Sequence, residues 1–211
     1  MTYDPATGKT GDLTDTQSYS WIIVDWIFGA LKIDPFFANF ALTRINRALP
    51  VEAWSQVPFL GICLGYQLLF STSEEFGEGR GLDIVPGAVR RLPAGQKIPH
   101  MGWNRVEHAG DLAIFDGIPS GSRFYFVHSF YPVVAGASRP ACTEGGLTQG
   151  RVAPDARSTA SLRTGWCEYG VRFAAAIEVG RIHATQFHPE KSQAWGIRML
   201  ENFAAIVKDG R

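Results

Sequence analysis

Residues 57–70 (Val-Pro-Phe-Leu-Gly-Ile-Cys-Leu-Gly-Tyr-Gln-Leu-Leu-Phe) constrain the fold more than any other part of the chain. They open with a short apolar run suited to a buried parallel strand. The run is interrupted at residues 61–65 (Gly-Ile-Cys-Leu-Gly) and continues with apolar residues spaced to face a core from a helix. The pattern predicts a strand, a sharp turn and a helix. At 211 residues, the chain is long enough for one α/β domain with a sizeable core.

The predicted turn is centred on Cys63. Gly-x-Cys-x-Gly is the cysteine counterpart of the nucleophile elbow, in which small flanking residues let the backbone turn tightly. We expect Cys63 to be displayed above the sheet edge rather than buried, with the helix start favouring its thiolate. The N–H of Leu64 would be one oxyanion donor, and the amide of Gln67, one helical turn further on, would hold a polar substrate. The alternative is a small cysteine that packs at a strand end.

A second candidate feature lies near the end of the chain. Residues 171–178 and 181–187 are strand-like runs separated by a Val-Gly pair, which predicts a hairpin. The second run leads into His188-Pro-Glu190, where Pro189 favours an extended His188 and lets the histidine and the carboxylate project to one side. A histidine with an orienting carboxylate is suited to take a proton from a thiol. The alternative is a strand-end histidine beside a solvated glutamate.

The first and last parts of the chain give weaker predictions. Residues 1–20 lack apolar periodicity and predict a flexible arm. Residues 21–28 are compatible with a buried strand or a helix segment, and the pattern leaves both open. Apolar residues between positions 36 and 54 recur at roughly helical spacing up to Pro50, which predicts a helix before the cysteine strand. Ser192 is a candidate N-cap for a terminal helix with the apolar face Met199, Leu200, Phe203 and Ile206.

The middle of the chain alternates predicted loops and strands. We expect a loop at 71–81, strands within 82–92, a shaped surface loop at 97–104, a strand at 122–131 ended by Pro132, and a long surface insertion at 135–165. Within the surface loop, Trp103 beside Asn104 and His100 suits an interface anchor, although a tryptophan tucked against its own domain fits the pattern as well. For His128 we expect a structural role, because no carboxylate lies nearby in sequence to orient it.

Composition excludes several classes of function. Lys plus Arg and Asp plus Glu both number 20, so no basic footprint for nucleic acid or an anionic membrane is visible. The three cysteines, Cys63, Cys142 and Cys167, are an odd number without metal-type spacing, which argues against a disulfide framework and a metal site. No signal peptide or bilayer-spanning stretch is recognisable. We therefore expect a soluble cytoplasmic protein.

The chain order Cys, His, Glu brings these features together as a resemblance. Gly-Ile-Cys-Leu-Gly-Tyr-Gln around Cys63 and Gln-Phe-His-Pro-Glu-Lys-Ser around His188 resemble the class I glutamine amidotransferases. Within them, residues 99–104 (Pro-His-Met-Gly-Trp-Asn) and 125–131 (Tyr-Phe-Val-His-Ser-Phe-Tyr) are similar to the glutaminase subunit of imidazole glycerol phosphate synthase. The resemblance runs from about residue 57 to the terminal helix, interrupted by the 135–165 segment.

The resemblance implies a three-layer αβα, flavodoxin-like amidotransferase domain over residues 21–211. Such a domain hydrolyses L-glutamine to glutamate and ammonia, without a cofactor or metal, and passes the ammonia through a tunnel to a (β/α)₈ cyclase subunit in histidine biosynthesis. Cys63 would form the glutamyl thioester, His188 would act as base and acid, and Glu190 would orient it. The remaining implied roles are glutamine binding by Gln67, Leu64 and the backbone of Ser129 and Phe130, and contact with the cyclase by Trp103, Asn104 and Lys191.

Residues 1–56 depart from the family pattern. Family members begin with an apolar strand that leads into an Asp-Tyr-Gly-x-Gly-Asn-like turn, and they later carry a Pro-Gly-x-Gly segment against the oxyanion site; neither is found here. We therefore expect missing or divergent N-terminal strands. Loss of one oxyanion donor costs roughly a hundred- to a thousandfold in rate. Two alternatives follow, a catalytically impaired binding subunit of the same complex and a glutaminase subunit of another amidotransferase.

Overall fold

A computed structural model describes residues 21–23, the first three by backbone alone, together with 58–75, 77–135 and 162–209. Its strands are β1 (Trp21–Ile23), β2 (Phe59–Ile62), β3 (Phe70–Ser73), β4 (Gly79–Arg80), β5 (Val85–Arg91), β6 (His100–Val106), β7 (Ser122–His128), β8 (Phe130–Val134), β9 (Arg163–Glu168), β10 (Arg172–Val179) and β11 (Ile182–Thr185). The helices within these residues are α1 (Leu64–Gln67), α2 (Gln193–Lys208) and two 3₁₀ turns, Ala113–Phe115 and Pro189–Lys191.

The central sheet has the strand order β1-β2-β11-β10-β9. Strands β1, β2 and β11 run parallel, whereas β10 is antiparallel to both β11 and β9. All four residues of β2 and of β11 are buried. Burial on both faces is the environment that the continuous apolar run before Cys63 predicts for a parallel strand.

Two smaller sheets complete the described β structure. One has the order β4-β3-β5-β8, and the other is the antiparallel ribbon of β6 and β7. In the ribbon His100 pairs with His128 and Trp103 pairs with Tyr125. Residues of β6 alternate in exposure, so that Met101 and Trp103 face outward while His100 is buried.

In the described residues, the core consists of two clusters of apolar side chains on either side of the central sheet. The larger cluster packs α2 against β7 and includes Phe124, Phe187, Met199 and Phe203. Helix α2 buries Gly196, Met199, Phe203 and Ile206, which recur at three- and four-residue intervals and form the face expected from sequence.

Several sequence predictions are confirmed. The strand, sharp turn and helix around Cys63 are present, as are the β10–β11 hairpin and the terminal helix. Residues 21–23, left open between strand and helix, form a strand parallel to β2. The overall α/β character is the predicted one, with parallel and antiparallel strands combined in the central sheet.

Other sequence predictions are wrong. The helix after Cys63 was expected to continue to residue 70, but it ends at Gln67. The expected loop at 71–81 contributes residues to β3 and β4, which pair with each other, and β3 also pairs with β5. Residues 100–104 of the predicted surface loop at 97–104 instead belong to β6, which pairs with β7. Pro132 lies inside β8 rather than ending a strand, and β8 tolerates it as the edge strand of its sheet.

Some predictions fall outside the described residues. These are the arm at 1–20, residues 24–28, the helix between 36 and 54, and most of the 135–165 insertion. The last three residues of that insertion, at 163–165, belong to strand β9.

Candidate active site

Two neighbouring parallel strands deliver the Cys63 and His188 segments to one edge of the central sheet. Strand β2 ends at Ile62 and β11 ends at Thr185, and these two residues are paired in register. The backbone N–H of Cys63 donates to the carbonyl oxygen of Thr185 at 2.7 Å. Because the carboxyl ends of adjacent parallel strands meet at one edge, the residues that follow each strand share a common site.

The backbone at Cys63 has the conformation of a nucleophile elbow. Its φ of 50° and ψ of −104° lie in a region that L-residues rarely adopt. Gly61 and Gly65 approach so closely that a Cβ on Gly61 would lie 2.8 Å from the carbonyl oxygen of Gly65. The two glycines therefore make the turn sterically possible, as their spacing predicts.

Cys63 is buried, which corrects the prediction that it is displayed. Its side chain is only 6% exposed. The sulfur lies 3.9 Å from the carbonyl oxygen of Val127, on β7, and the Nε2 group of Gln186 donates to it at 3.5 Å. Cys63 directly follows the end of β2, and β7 and Gln186 cover its side chain there.

His188 is held beside the same strand by hydrogen bonds on both sides of its backbone. Its N–H donates to the carbonyl oxygen of Tyr125 at 2.8 Å, and its own carbonyl accepts a 2.6 Å bond from the Ser192 hydroxyl. The Ser192 oxygen in turn accepts the N–H of Tyr125 at 2.9 Å. Tyr125 and Val127 are two residues apart in β7. The His188 backbone and the Cys63 sulfur therefore contact this strand at two points about 7 Å apart along its length.

Glu190 is bonded to the imidazole of His188 as predicted. The two side chains meet through Nδ1 and Oε1 at 2.7 Å. Burial raises the pKa of Glu190, but the hydrogen bond from His188 and the positive charges nearby outweigh it, so the pKa lies below its usual range. The carboxylate therefore accepts the proton on Nδ1, which leaves Nε2 of His188 as the basic nitrogen.

Helix α2 fixes the turn that carries Glu190. A Cβ on Gly196 would overlap the carbonyl oxygen of Pro189, so the first turn of α2 can approach the Pro189–Lys191 turn only with glycine at this position. Ser192 occupies the predicted N-cap position, but its hydroxyl makes no capping hydrogen bond. It serves the His188 segment instead, a role that the sequence does not reveal.

The structure brings two of the predicted glutamine-binding residues into direct contact. Gln67 is buried, and its Nε2 donates to the carbonyl oxygen of Phe130 and to Oε1 of Gln186, each at 3.1 Å. Leu64 follows Cys63 as the first residue of α1. The Ser129 carbonyl accepts the N–H of Leu92 at 2.9 Å, so its oxygen is bonded to the neighbouring sheet.

The three predicted interface residues lie at or near the surface. Trp103 is 43% exposed and meets Tyr125 edge to face, with ring centroids 6.0 Å apart. Asn104 is half-buried, and Lys191 is exposed next to Glu190. Because Tyr125 also bonds the backbone of His188, the exposed face of β6 lies directly beside the strand that supports the site.

Sequence reasoning missed Gln186 and His100. Gln186 lies just beyond β11 with its side chain fully buried, and the available signal was a glutamine two residues before His188. His100 was considered only as a neighbour of Trp103, but it is buried and bonded to His128. His128 has partners on both ring nitrogens, as expected for a structural histidine.

Comparison with known proteins identifies the family. The family model described as glutamine amidotransferase class-I matches residues 40–207. This chain belongs to the class I glutamine amidotransferases. The predicted family and fold class are thereby confirmed. In the described part of the chain, every helix is too short or too polar to cross a membrane.

Curated relatives place the chain within that family. A protein of Moorella thermoacetica is 47% identical over 81% of this chain and 70% of its own length. One of Desulfitobacterium hafniense is 41% identical over 74% of this chain and 64% of its own, and one of Herpetosiphon aurantiacus is 44% identical over 71% and 60%. All three are named imidazole glycerol phosphate synthase subunit HisH. The matched segment thus spans about two thirds of the length of these relatives.

Proposed function

We propose that this chain is the glutaminase subunit of an imidazole glycerol phosphate synthase. It would hydrolyse L-glutamine to glutamate and ammonia and supply the ammonia to a cyclase subunit in L-histidine biosynthesis. The observation that carries the proposal is the meeting of two strand ends: Cys63 follows β2 in an elbow conformation, and His188 follows the adjacent β11 with Glu190 on its Nδ1. The names of the HisH relatives support the choice of complex.

The proposed reaction begins with the thiol of Cys63. Nε2 of His188 takes the thiol proton, and the sulfur attacks the amide carbon of glutamine to form a tetrahedral oxyanion. The N–H of Leu64, the first residue of α1, is proposed as one oxyanion donor. The C–N bond then breaks, and His188 returns the proton to the leaving ammonia. Water attacks the glutamyl thioester with His188 as base, which releases glutamate and the free thiol.

Glu190 contributes by charge and orientation. Its pKa, held below the usual range, keeps it ionised at neutral pH, and the 2.7 Å bond to Nδ1 fixes the ring of His188 so that Nε2 is the nitrogen proposed to transfer protons. When His188 accepts a proton, the carboxylate stabilises the imidazolium.

The glutamine would lie along the segment that follows β7. Gln67 and the backbone of Ser129 and Phe130 are proposed to hold it, since Gln67 and Phe130 are bonded to each other next to the cysteine. Gln186 links this pair to the sulfur.

The proposed partner is a cyclase with a (β/α)₈ barrel, contacted by Trp103, Asn104 and Lys191 in the cytoplasm. A large exposed aromatic with polar neighbours has the character of an interface anchor. Met101 is exposed on the same strand, β6, which pairs with β7, the strand that contacts the site.

A single assay tests the proposal. The full chain is mixed with the cyclase, and product formation is measured with glutamine or with free ammonium as nitrogen source. Cys63→Ala should abolish glutamine-dependent turnover and leave ammonium-dependent turnover intact, while Cys167→Ala, the same change at a buried cysteine on β9, should retain both. An unchanged glutamine rate in Cys63→Ala overturns the assignment.

The same experiment separates the two alternatives. A wild-type chain that co-elutes with the cyclase but supports turnover only with ammonium would be an impaired binding subunit. A chain that releases ammonia from glutamine yet binds no cyclase would serve another synthase.

A further inference from the structure

An unbroken series of hydrogen bonds connects Asn104, on β6, to the sulfur of Cys63. It starts at Asn104, whose Nδ2 lies 3.2 Å from Nε2 of His100, and continues from Nδ1 of His100 to Nε2 of His128 at 2.9 Å. Nδ1 of His128 meets the carbonyl oxygen of Phe130 at 2.7 Å. Gln67 and Gln186 complete the path to the sulfur.

The donor and acceptor in each hydrogen bond from Phe130 back to Asn104 follow from the Phe130 carbonyl, which can only accept. Nδ1 of His128 must therefore carry the proton, and in a neutral ring Nε2 is then an acceptor. Nδ1 of His100 must donate to it, which makes Nε2 of His100 an acceptor in turn. Asn104 supplies the required donor at that end.

The orientation of the Asn104 amide is fixed independently. Its Oδ1 accepts the N–H of Arg105 at 2.8 Å, and its Nδ2 donates to the carbonyl oxygen of Glu168 at 2.9 Å. Both contacts require the oxygen and nitrogen as assigned. A flipped amide would place its NH₂ group against the N–H of Arg105 and its oxygen against the carbonyl oxygen of Glu168. The second hydrogen on Nδ2 is the one that points to His100.

The two rings are locked in place and neutral. His100 is stacked between Tyr169 and Phe126, with centroid distances of 3.9 and 4.7 Å. Burial lowers the pKa of His100 to about 4 and that of His128 to about 3, and for His128 the neighbouring rings of His100 and His188 add to the effect. Both are therefore neutral at physiological pH and hold the same tautomer, with the proton on Nδ1.

We propose that His100 and His128 are positioning residues that hold the Phe130 carbonyl, and through it Gln67 and Gln186, in the arrangement that receives glutamine beside Cys63, with Asn104 as the outer end of the chain. The proposal rests on the proposed glutaminase function and deepens it. Both rings act through other residues, because the Phe130 carbonyl and two glutamine amides separate them from the cysteine sulfur.

Nitrogen-15 NMR of the full chain tests the proton direction without any activity assay. Both His100 and His128 should show the Nδ1-protonated neutral form at pH 7, although free imidazole in histidine favours the proton on Nε2. A proton on Nε2 of either ring, or a cationic ring, would be incompatible with this series of hydrogen bonds and would overturn the proposal.

Two matched variants test the outer end by the same method. Asn104→Asp replaces a donor by a carboxylate that can only accept, so Nε2 of His100 should become protonated. Asn202→Asp makes the same change on α2, where the amide donates to the carbonyl oxygens of Ile114 and Asp116, and should leave both rings unchanged. An identical spectrum of the two rings in wild type and Asn104→Asp would contradict the assigned direction.

Two variants of His128 test the consequence for glutamine in the assembled complex. The amide nitrogen of His128→Asn takes the place of Nδ1 and keeps the bond to Phe130, whereas His128→Gln reaches the place of Nε2 and loses it. We expect the KM for glutamine in His128→Gln to exceed that of His128→Asn by about 3- to 10-fold, the effect of one hydrogen bond, with a smaller change in kcat. Equal KM values would refute the positioning role, and wild type without glutaminase activity would refute the proposed function while the NMR result stands.

Discussion

The N–H of Cys63 donates to the carbonyl oxygen of Thr185 across two parallel strands, and this bond sets the geometry of the site. It fixes the register in which the elbow begins one residue after Ile62 and His188 follows three residues after Thr185. A slip of one residue would exchange the faces of all side chains that follow. The site is therefore a property of strand pairing as much as of the residues themselves.

The elbow should not tolerate a side chain at Gly61. In Gly61→Ala the new Cβ would press on the carbonyl oxygen of Gly65, and we expect a loss of about 1–3 kcal/mol in the free energy of unfolding together with loss of activity. Urea denaturation measures the first effect. Gly79→Ala is the control, because its Cβ would find the nearest atom, the carbonyl oxygen of Ser73, at 3.9 Å. Equal stabilities for the two variants would mean that the two glycines do not pack as described.

Glu190→Gln should slow glutamine hydrolysis by on the order of a hundredfold or more, because His188 loses the charge that stabilises its protonated form. The glutaminase rate of the assembled complex is the measurement. Glu201→Gln, the same change at an exposed position on α2, should have the wild-type rate. A rate within twofold of wild type for Glu190→Gln would exclude the orienting role.

Buried Glu178 predicts a pH-dependent contribution to stability. Its carboxylate accepts the N–H of Ala113 at 2.7 Å and contacts Arg163 and His183. Burial raises its pKa, but His183, the Ala113 bond and Arg163 outweigh burial, so the folded pKa lies below the usual value. The stabilisation is therefore present above the unfolded pKa of about 4.3 and is lost as the pH falls through the folded pKa.

Glu178→Gln should accordingly lower the free energy of unfolding by about 2 kcal/mol at pH 7, and the difference from wild type should shrink in acid. Urea titrations at several pH values measure this, with Glu201→Gln again as the control for the chemical change. A difference that grows toward low pH would reverse the sign worked out from the pKa.

The sequence predicts those parts of the site that depend on local geometry. The glycines around Cys63 and the proline between His188 and Glu190 act on neighbouring residues, so spacing alone indicates the elbow and the histidine–carboxylate pair. Burial of Cys63 was not predictable in this way, because β7 and Gln186, which cover it, lie 64 and 123 residues further along the chain.

The same distinction explains the strands that sequence reasoning assigned to loops. Residues 71–73 (Ser-Thr-Ser) are polar, and residues 100–104 contain Gly102 and Asn104, which locally favour turns and loops. They become strands because β5 and β7 supply backbone partners from elsewhere in the chain. The prediction of a structural role for His128 agrees with its hydrogen bonds on both ring nitrogens. The sequence could not indicate that His100 is one of these partners, because their contact depends on the pairing of β6 with β7.

Cys167 should be chemically inert in the folded protein. It lies on β9 with 3% exposure, and burial raises its pKa to about 12, an effect that its contact with the Glu168 carbonyl only partly offsets and that the charges of Glu107 and Glu168 reinforce. Only the thiolate reacts with iodoacetamide, so the raised pKa leaves Cys167 almost entirely in the unreactive thiol form at pH 8. Peptide mass spectrometry after timed alkylation should show Cys167 unmodified in buffer and labelled in urea. Alkylation of Cys167 at the same rate in both conditions would show that the β9 side of the core opens in the native state.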